Sequence, residues 1–257
     1  MLRFAVFCLV ALLVPGASAR AQGSLAVAAA SDLQAVLPEL AARFQKETGT
    51  QVKVSYGSSG NFFAQIQNGA PFDIFLSADV DYPRRLLASG HAERGSLHHY
   101  ATGRIVLWMR RESGIDVSRG LAVLRDSRIR RVAIANPAHA PYGRAAVAAM
   151  RAASVYDAVR GKLVLGENIS QTAQFVDSGN ADAGILALSL ALGPALRARG
   201  HYVEIPSSSH PPIEQAAVIV AASRQKAAAR RFIDYLRSPE IVKLLASFGF
   251  SVAAGAR

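Results

Sequence analysis

The sequence has almost no cysteine: Cys8 is the single one among its 257 residues. It lies in an apolar run close to the N-terminus, so the rest of the chain offers no thiol for a disulfide framework or for thiolate chemistry. Long apolar runs are lacking as well, because charges and glycines interrupt each later one before the roughly 20 residues that a membrane helix needs. These absences exclude a disulfide-stapled scaffold and predict no membrane-spanning helix.

Metal-ligand motifs and acidic residues are also scarce. H-E-x-x-H and related spacings do not occur, so we expect neither a zinc site nor a cofactor. The chain has 18 Asp and Glu against 29 Lys and Arg, a formal net charge of +11. Because the basic residues are scattered and no aromatic residues alternate with them, the pattern argues against nucleic-acid binding. It is compatible with long-range attraction of an anionic ligand.

The N-terminus has the build of a secretory signal. Arg3 precedes an apolar run over residues 4–14, and small residues follow up to Ala19-Arg20-Ala21, a favourable cleavage site. We therefore assign residues 1–21 to a signal peptide and expect an exported, periplasmic product. Cys8 precedes the cleavage site, so it is not placed to carry a lipid anchor.

Short apolar runs alternate with helical patterns along the rest of the chain, which predicts an α/β fold with largely parallel sheets. The predicted strands span residues 25–30, 51–56, 73–77, 104–110, 131–135, 162–165, 183–188 and 215–222. The predicted helices span residues 32–48, 61–68, 144–153, 170–178, 190–198, 225–236 and 239–247.

The order of these elements fits two lobes rather than one. About 236 mature residues exceed the usual size of a single domain. The strand over 104–110 is placed to cross to a second lobe, and the strand over 215–222 to cross back. We therefore predict a discontinuous lobe 1 of residues 22–103 and 218–257, with lobe 2, residues 104–217, inserted into it.

Four predicted strands are followed by residues that favour a helix N-terminus. Ser31 is a predicted N-cap with Gln34 three residues on, and Asn168 has Gln171 at the same capping-box spacing. A segment with two hydroxyls, 57–60, follows the second strand, and Pro141-Tyr142-Gly143 opens a helix of the second half. Helix N-termini bind anions through unpaired N–H groups. Each pattern alone is also that of an ordinary cap or turn.

Several motifs resemble the periplasmic molybdate-binding proteins of ABC importers, and the likeness covers nearly the whole mature chain. A specific pair of motifs is the start Ala-Ala-Ala-Ser-Asp-Leu over 28–33 together with the block Gly-Ala-Pro-Phe-Asp-Ile-Phe-Leu-Ser-Ala-Asp over 69–79. Further matching segments are 56–60, Gln65-Ile66, Asn136-Pro137, Pro141-Tyr142-Gly143, 184–189 and 232–236. The segment 184–189 is the loosest of these matches.

The resemblance implies a two-lobed periplasmic binding protein fold of type II, α/β in class. The lobes are joined by crossing strands, and the ligand cleft lies between them. Carried over by motif, Ser31 and Ser59 each supply a hydroxyl and a backbone N–H, while Tyr142 and Ile169 supply backbone N–H groups. Ser58 and Ala187 are possible additional ligand residues. Some members have a ligand-binding tyrosine where this chain has Ala187, so Tyr142 is the candidate for a replacement hydroxyl donor.

The function that the resemblance implies is reversible binding of molybdate or tungstate and delivery to an ABC permease in the inner membrane. Molybdenum would be bound only as molybdate, through the same residues, by a monomeric protein that is not an enzyme. The alternatives are a binder of sulfate or chromate and, from another class, a secreted hydrolase with Ser58 or Ser59 as nucleophile. We also expect Asp32 to face solvent, leaving a site that only donates hydrogen bonds and therefore excludes phosphate.

Overall fold

The computed structural model describes residues 23–252, which form two five-stranded sheets. The first sheet contains β1 (Ser24–Ala30), β2 (Gln51–Gly57), β3 (Ile74–Ser77), β4 (His98–Gly103) and β10 (Ile213–Ile219), in the order β2-β1-β3-β10-β4. The second contains β5 (Ile105–Arg110), β6 (Val132–Ala135), β7 (Leu163–Gly166), β8 (Ala183–Ala187) and β9 (Gly200–Glu204), in the order β7-β6-β8-β5-β9. We call the sheets with their helices lobe 1 and lobe 2.

Helices cover the sheets of both lobes. Those of lobe 1 are α1 (Leu37–Thr48), α2 (Ser59–Gln67), α3 (Asp81–Ala88), α9 (Lys226–Leu236) and α10 (Pro239–Ser247). Those of lobe 2 are α4 (Pro141–Ala152), α5 (Tyr156–Val159), α6 (Ile169–Asp177), α7 (Leu188–Leu192) and α8 (Pro194–Arg197). Short 3-10 helices occupy Ser31–Ala35, Arg111–Ser113, Val117–Arg125, Arg160–Lys162 and Ser207–Ser209.

The α/β class and the two-lobed arrangement are confirmed. In each sheet three strands that carry βα junctions run parallel, and a single strand, β10 or β5, runs antiparallel to both of its neighbours. The chain crosses between lobes at Arg104, between β4 and β5, and returns before β10. Since β10 pairs with β3 and β4 over its length, residues 213–217 belong to the first sheet, whereas the predicted boundary gives them to lobe 2.

Each sheet buries apolar side chains on both faces, as helices on both sides require. Lobe 1 has one core under α1, α9 and α10, where Phe44 and Phe232 meet edge to face at 5.1 Å. A second core under α2 and α3 contains Phe62 and Phe75. Lobe 2 has a core around Trp108, which is fully buried. Each lobe therefore has a hydrophobic core of its own.

The register of the parallel strands determines where the helix starts meet. Ala30 at the end of β1 pairs with Gly57 at the end of β2, and Ala135 at the end of β6 pairs with Gly166 at the end of β7. In each sheet, two strand-to-helix junctions therefore lie side by side at the carboxyl ends of the parallel strands. This is the edge at which α/β folds form a ligand crevice.

Most predicted elements occur, with four added strands or α-helices and two changes. β4, β9, α3 and α5 lie in segments for which no element was predicted. The predicted helix over 32–48 is a 3-10 turn followed by α1, and the predicted helix over 190–198 is divided into α7 and α8. None of the helices in residues 23–252 is long and apolar enough to cross a membrane. The predicted signal peptide lies outside the described residues.

Candidate functional site

Starts of helices from both lobes converge on a small cavity. Its walls include the four residues predicted to bind an oxyanion, and Ser58 as well; these are Ser31, Ser58, Ser59, Tyr142 and Ile169. Ala187 is not among the lining residues; it is the buried N-cap position of α7. The cavity is far smaller than the pockets of drug-sized ligands and suits a small ion. Larger clefts lie elsewhere, including one beside Asp79, but Ser31 and Ser59 do not line them.

Ser59 is the first residue of α2 and has its hydroxyl oriented by the neighbouring strand end. Its Oγ accepts a hydrogen bond of 2.9 Å from the backbone N–H of Ala78. Because that bond uses an oxygen lone pair, the hydroxyl proton remains available as a donor. The first-turn N–H groups of α2 also lack intrahelical acceptors. Ser58 is the N-cap, and its Oγ accepts from the N–H of Asn61 at 3.4 Å.

Ser31 does not have the capping role predicted for it. The 3-10 helix begins at Ser31 itself, Ala30 occupies the N-cap position, and no side chain caps the turn. The Ser31 hydroxyl instead reaches across the cleft, donating to Asn168 Oδ1 at 3.2 Å and accepting from Ser170 N–H at 3.3 Å. The prediction of a capping box at Ser31 is therefore wrong, because the side chain is used between the lobes.

The predicted cap at Asn168 is confirmed. Its Oδ1 accepts from the N–H groups of Ser170 and Gln171, both at 3.0 Å, at the start of α6. In a capping box the Gln171 side chain would accept from the N–H of Asn168. Here its Oε1 accepts instead from the N–H of the preceding residue, Glu167, at 2.6 Å. Ile169, the first residue of α6, is buried against the cavity.

Tyr142 and Asp32 differ most from expectation, because they bind each other. Asp32 is fully buried, and its Oδ2 accepts from the Tyr142 hydroxyl at 2.8 Å and from Nε2 of Gln215. The prediction that Asp32 faces solvent is wrong. The prediction that the Tyr142 hydroxyl replaces a missing ligand donor is also wrong, since its proton is used by Asp32. A role for the Tyr142 backbone N–H in anion binding stays a prediction.

The buried network around Asp32 shifts the pKa of each of its titratable members. Burial raises the pKa of Asp32 to about 6, opposed by the hydrogen bonds from Gln215 and Tyr142. Burial, with the Asp32 charge, raises the pKa of both Tyr142 and Tyr100 well above the usual range. Tyr100 donates to Oε1 of Gln215 at 2.7 Å. Among the residues described, Asp32 Oδ1 is buried without a hydrogen-bond partner.

Sequence reasoning missed three polar residues of this region, namely His139, Glu167 and Gln215. Of the three, only Gln215 could have been noticed in the sequence, because it is a polar residue at the start of an apolar run. The structure places it in β10 and buries it fully. His139 and Glu167 lie in the loops before α4 and α6, where a polar residue carries no local signal. Ser58, His139 and Glu167 stand in the order hydroxyl, imidazole, carboxylate, with 2.9 Å from Ser58 Oγ to His139 Nδ1 and 3.5 Å from His139 Nε2 to Glu167.

This order alone does not make a hydrolase. Ser58 Oγ already accepts the capping N–H of Asn61, and the segment 57–60 does not have the strained G-x-S-x-G turn that exposes a nucleophile. Within residues 23–252 there is also no cluster of three or more His, Cys, Asp or Glu placed to hold a metal ion. The arrangement of helix starts and hydroxyls is suited to binding an anion.

Comparison with known proteins agrees with this geometry. The family model described as bacterial extracellular solute-binding protein matches residues 25–251. A molybdate-binding protein ModA of Azotobacter vinelandii is 38% identical over 226 residues, 88% of this chain and 89% of the relative. ModA of Rhodobacter capsulatus is 36% identical over 230 residues, 90% of this chain and 89% of that protein.

Solved structures of other binding proteins are also similar to this chain. The periplasmic molybdate-binding protein of Azotobacter vinelandii superposes with a TM-score of 0.83 at 33% identity, covering 90% of this chain and 100% of that one. The sulfate-binding protein SubI of Mycobacterium tuberculosis, at 20% identity and a TM-score of 0.70 over 91% of this chain and 88% of its own, has the same fold. The chain therefore belongs to the bacterial extracellular solute-binding proteins.

Proposed function

We propose that this protein is the molybdate-binding component of an ABC importer. The observation that carries the proposal is the small cavity onto which the Ser59 hydroxyl and helix starts from both lobes converge. The similarity to molybdate-binding proteins over about nine tenths of the chain supports it. The protein is a binding protein and not an enzyme, so no bond of the ligand is made or broken.

Binding follows from the way the donors are divided between the lobes. Ser31 and Ser59 belong to lobe 1, whereas the first turns of α4 and α6, with Tyr142 and Ile169, belong to lobe 2. An open form collects the anion on one lobe, and closure brings the second set of N–H groups onto it. Helix N-termini stabilise the dianion without any formal cation.

The proposal includes the route of the protein and its cargo. Residues 1–21 direct export to the periplasm, and the loaded protein docks as a monomer on a membrane permease, to which it delivers the anion. Tungstate is proposed as an alternative cargo because it has the same tetrahedral geometry and charge. Mass spectrometry of the exported protein tests the cleavage after Ala21.

Titration calorimetry with four oxyanions tests the choice of ligand. We expect molybdate and tungstate to bind with similar affinity, and sulfate far more weakly, because its shorter bonds leave donors of the closed site unpaired. Phosphate is expected to be weaker still, because it brings a proton to a cavity whose proposed ligand groups, hydroxyls and helix-start N–H groups, act as donors, while the Asp32 carboxylate is buried beside them. Phosphate affinity equal to that of molybdate would mean that Asp32 Oδ1 accepts a ligand proton, and the donor-only site would be wrong.

Ser59→Ala is expected to weaken molybdate binding by about 1.5 to 3 kcal/mol, the scale of a hydrogen bond to a charged group. Ser31→Ala should also weaken binding, because Ser31 lines the cavity and its hydroxyl joins lobe 1 to Asn168 and Ser170 of lobe 2. Ser207→Ala is the matched control, since Ser207 is exposed and does not line the cavity. Unchanged affinity in Ser59→Ala, with only a loss of stability from the unpaired Ala78 N–H, would limit Ser59 to a structural role.

A further inference from the structure

We propose that His139 and Glu167 of lobe 2 hold the two lobes together at the rim of the anion cavity, and that this contact determines how long the anion stays bound. Their partners are Ser58, Gly60 and Asn61, at the start of α2 in lobe 1. We call these five residues the clasp. The inference rests on the proposed function and assigns to His139 and Glu167, which do not line the cavity, a role in setting affinity.

The clasp consists of three hydrogen bonds that cross between the lobes. Ser58 Oγ lies 2.9 Å from His139 Nδ1, and the Gly60 N–H donates to the His139 carbonyl at 3.0 Å. Asn61 Nδ2 donates to Glu167 Oε1 at 2.6 Å. Within lobe 2, His139 Nε2 lies 3.5 Å from the same Glu167 oxygen, so the two loops of lobe 2 support each other.

The clasp lies next to the residues that are predicted to bind the anion. Ser58 lines the anion cavity, and Ser59, between Ser58 and Gly60, supplies the predicted hydroxyl donor. His139 lies three residues before Tyr142, and Glu167 lies two residues before Ile169. Each clasp residue is therefore a near neighbour, along the chain, of a residue predicted to bind the anion. Release of the anion by hinge opening has to break the clasp.

The contacts of the clasp stabilise closure rather than either lobe. All three hydrogen bonds join lobe 1 to lobe 2, so an opening motion breaks them together and leaves each lobe intact. A contact made only in the closed form increases the population of that form and thereby increases apparent affinity by the same factor. Glu167 is 58% exposed, which screens its contribution, so we expect a combined effect of about tenfold on affinity.

The test compares wild type with His139→Leu, Glu167→Ala and the double variant, using molybdate as the probe. Calorimetry gives Kd, stopped-flow gives the release rate, and thermal unfolding without anion gives Tm. We expect the double variant to bind about tenfold more weakly, chiefly through faster release, with Tm unchanged. Glu167→Gln should restore most of the affinity, because it keeps an acceptor for Asn61. His201→Leu, exposed on β9, is the matched control.

Each outcome separates the clasp from the proposed function. Wild type that does not bind molybdate would overturn the proposed function. Wild type that binds, with a double variant that binds and releases equally well, would overturn the clasp alone. A fall in Tm without anion, with an unchanged release rate, would also overturn it, because the contacts would then serve the fold of a lobe. Loss of affinity that Glu167→Gln restores supports the clasp.

Discussion

Gly60→Ala is expected to abolish tight oxyanion binding in a protein that still folds. A Cβ atom at Gly60 would lie 2.6 Å from the carbonyl oxygen of His139 and 2.9 Å from the His139 Cβ. It would also lie 2.9 Å from the Tyr82 hydroxyl, which is the far end of a flexible lobe 1 side chain and accepts a hydrogen bond of 3.4 Å from Arg144. The His139 contact is different, because it involves backbone of the opposite lobe and is relieved only by opening the cleft.

The open form should not be harmed by the same substitution. Gly60 is the second residue of α2, it has no left-handed backbone angle, and alanine is favoured over glycine in a helix by about 1 kcal/mol. The closed form loses the hydrogen bond from the Gly60 N–H and gains an overlap, which together cost about 3 kcal/mol or more. Affinity for molybdate should therefore fall by at least about a hundredfold.

Calorimetry, thermal unfolding and small-angle scattering check this prediction together. Gly60→Ala should have an unchanged or slightly higher Tm without anion, a greatly increased Kd, and no compaction on addition of molybdate. Gly161→Ala is the matched control, since no atom lies within 4 Å of the position of its Cβ. Kd equal to that of wild type would mean that the lobes close without bringing Gly60 against His139, and the clasp would not exist in the bound state.

The α/β class and the helix starts around the cavity could be predicted because both are encoded locally. β1, β6 and β8 are short runs of small or branched apolar residues, and they are buried on both faces of their sheets. Asn168 caps α6 through its own side chain, which accepts from N–H groups two and three residues on and requires nothing from the rest of the chain. Proline at the first position of α10 likewise marks a helix start, and the predicted helix begins there, whereas α4 begins at Pro141, three residues before its predicted start.

What could not be predicted depends on partners that are distant in sequence. Asp32 would face water if only its neighbours in the chain mattered. It is buried because Tyr142 and Gln215, 110 and 183 residues away, both donate to it. β9 was missed because it is an edge strand with a mostly exposed, polar sequence.

Asp32 is a carboxylate in the interior of the protein, beside the proposed anion site. Its Oδ2 is held by two donors, while Oδ1 is buried without a partner in the described part of the chain. A charge in this position lacks part of the solvation that it has in the unfolded chain. Burial therefore favours the protonated acid and raises the pKa of Asp32 from 3.8 to about 6.

This difference makes the stability of the protein depend on pH. Between about pH 4 and pH 6 the folded protein binds more protons at Asp32 than the unfolded chain does, so the free energy of unfolding falls as the pH rises. The contribution of the protonated acid is fully present below the unfolded pKa, and it is lost as the pH rises through the folded pKa. A shift of roughly two pKa units corresponds to about 3 kcal/mol. Tyr100 and Tyr142 stay neutral throughout, because burial raises the pKa of each well above its usual range.

Asp32→Asn is expected to remove this dependence, since an amide of the same shape does not ionise. Urea unfolding of both proteins without anion, from pH 4 to pH 7.5, gives the difference in the free energy of unfolding, wild type minus variant. That difference should fall by about 2 to 3 kcal/mol as the pH rises. Asp157→Asn, on the exposed face of α5, is the matched control. A difference that stays constant with pH would mean that water reaches Asp32 in the anion-free protein, so that its burial requires the closed form.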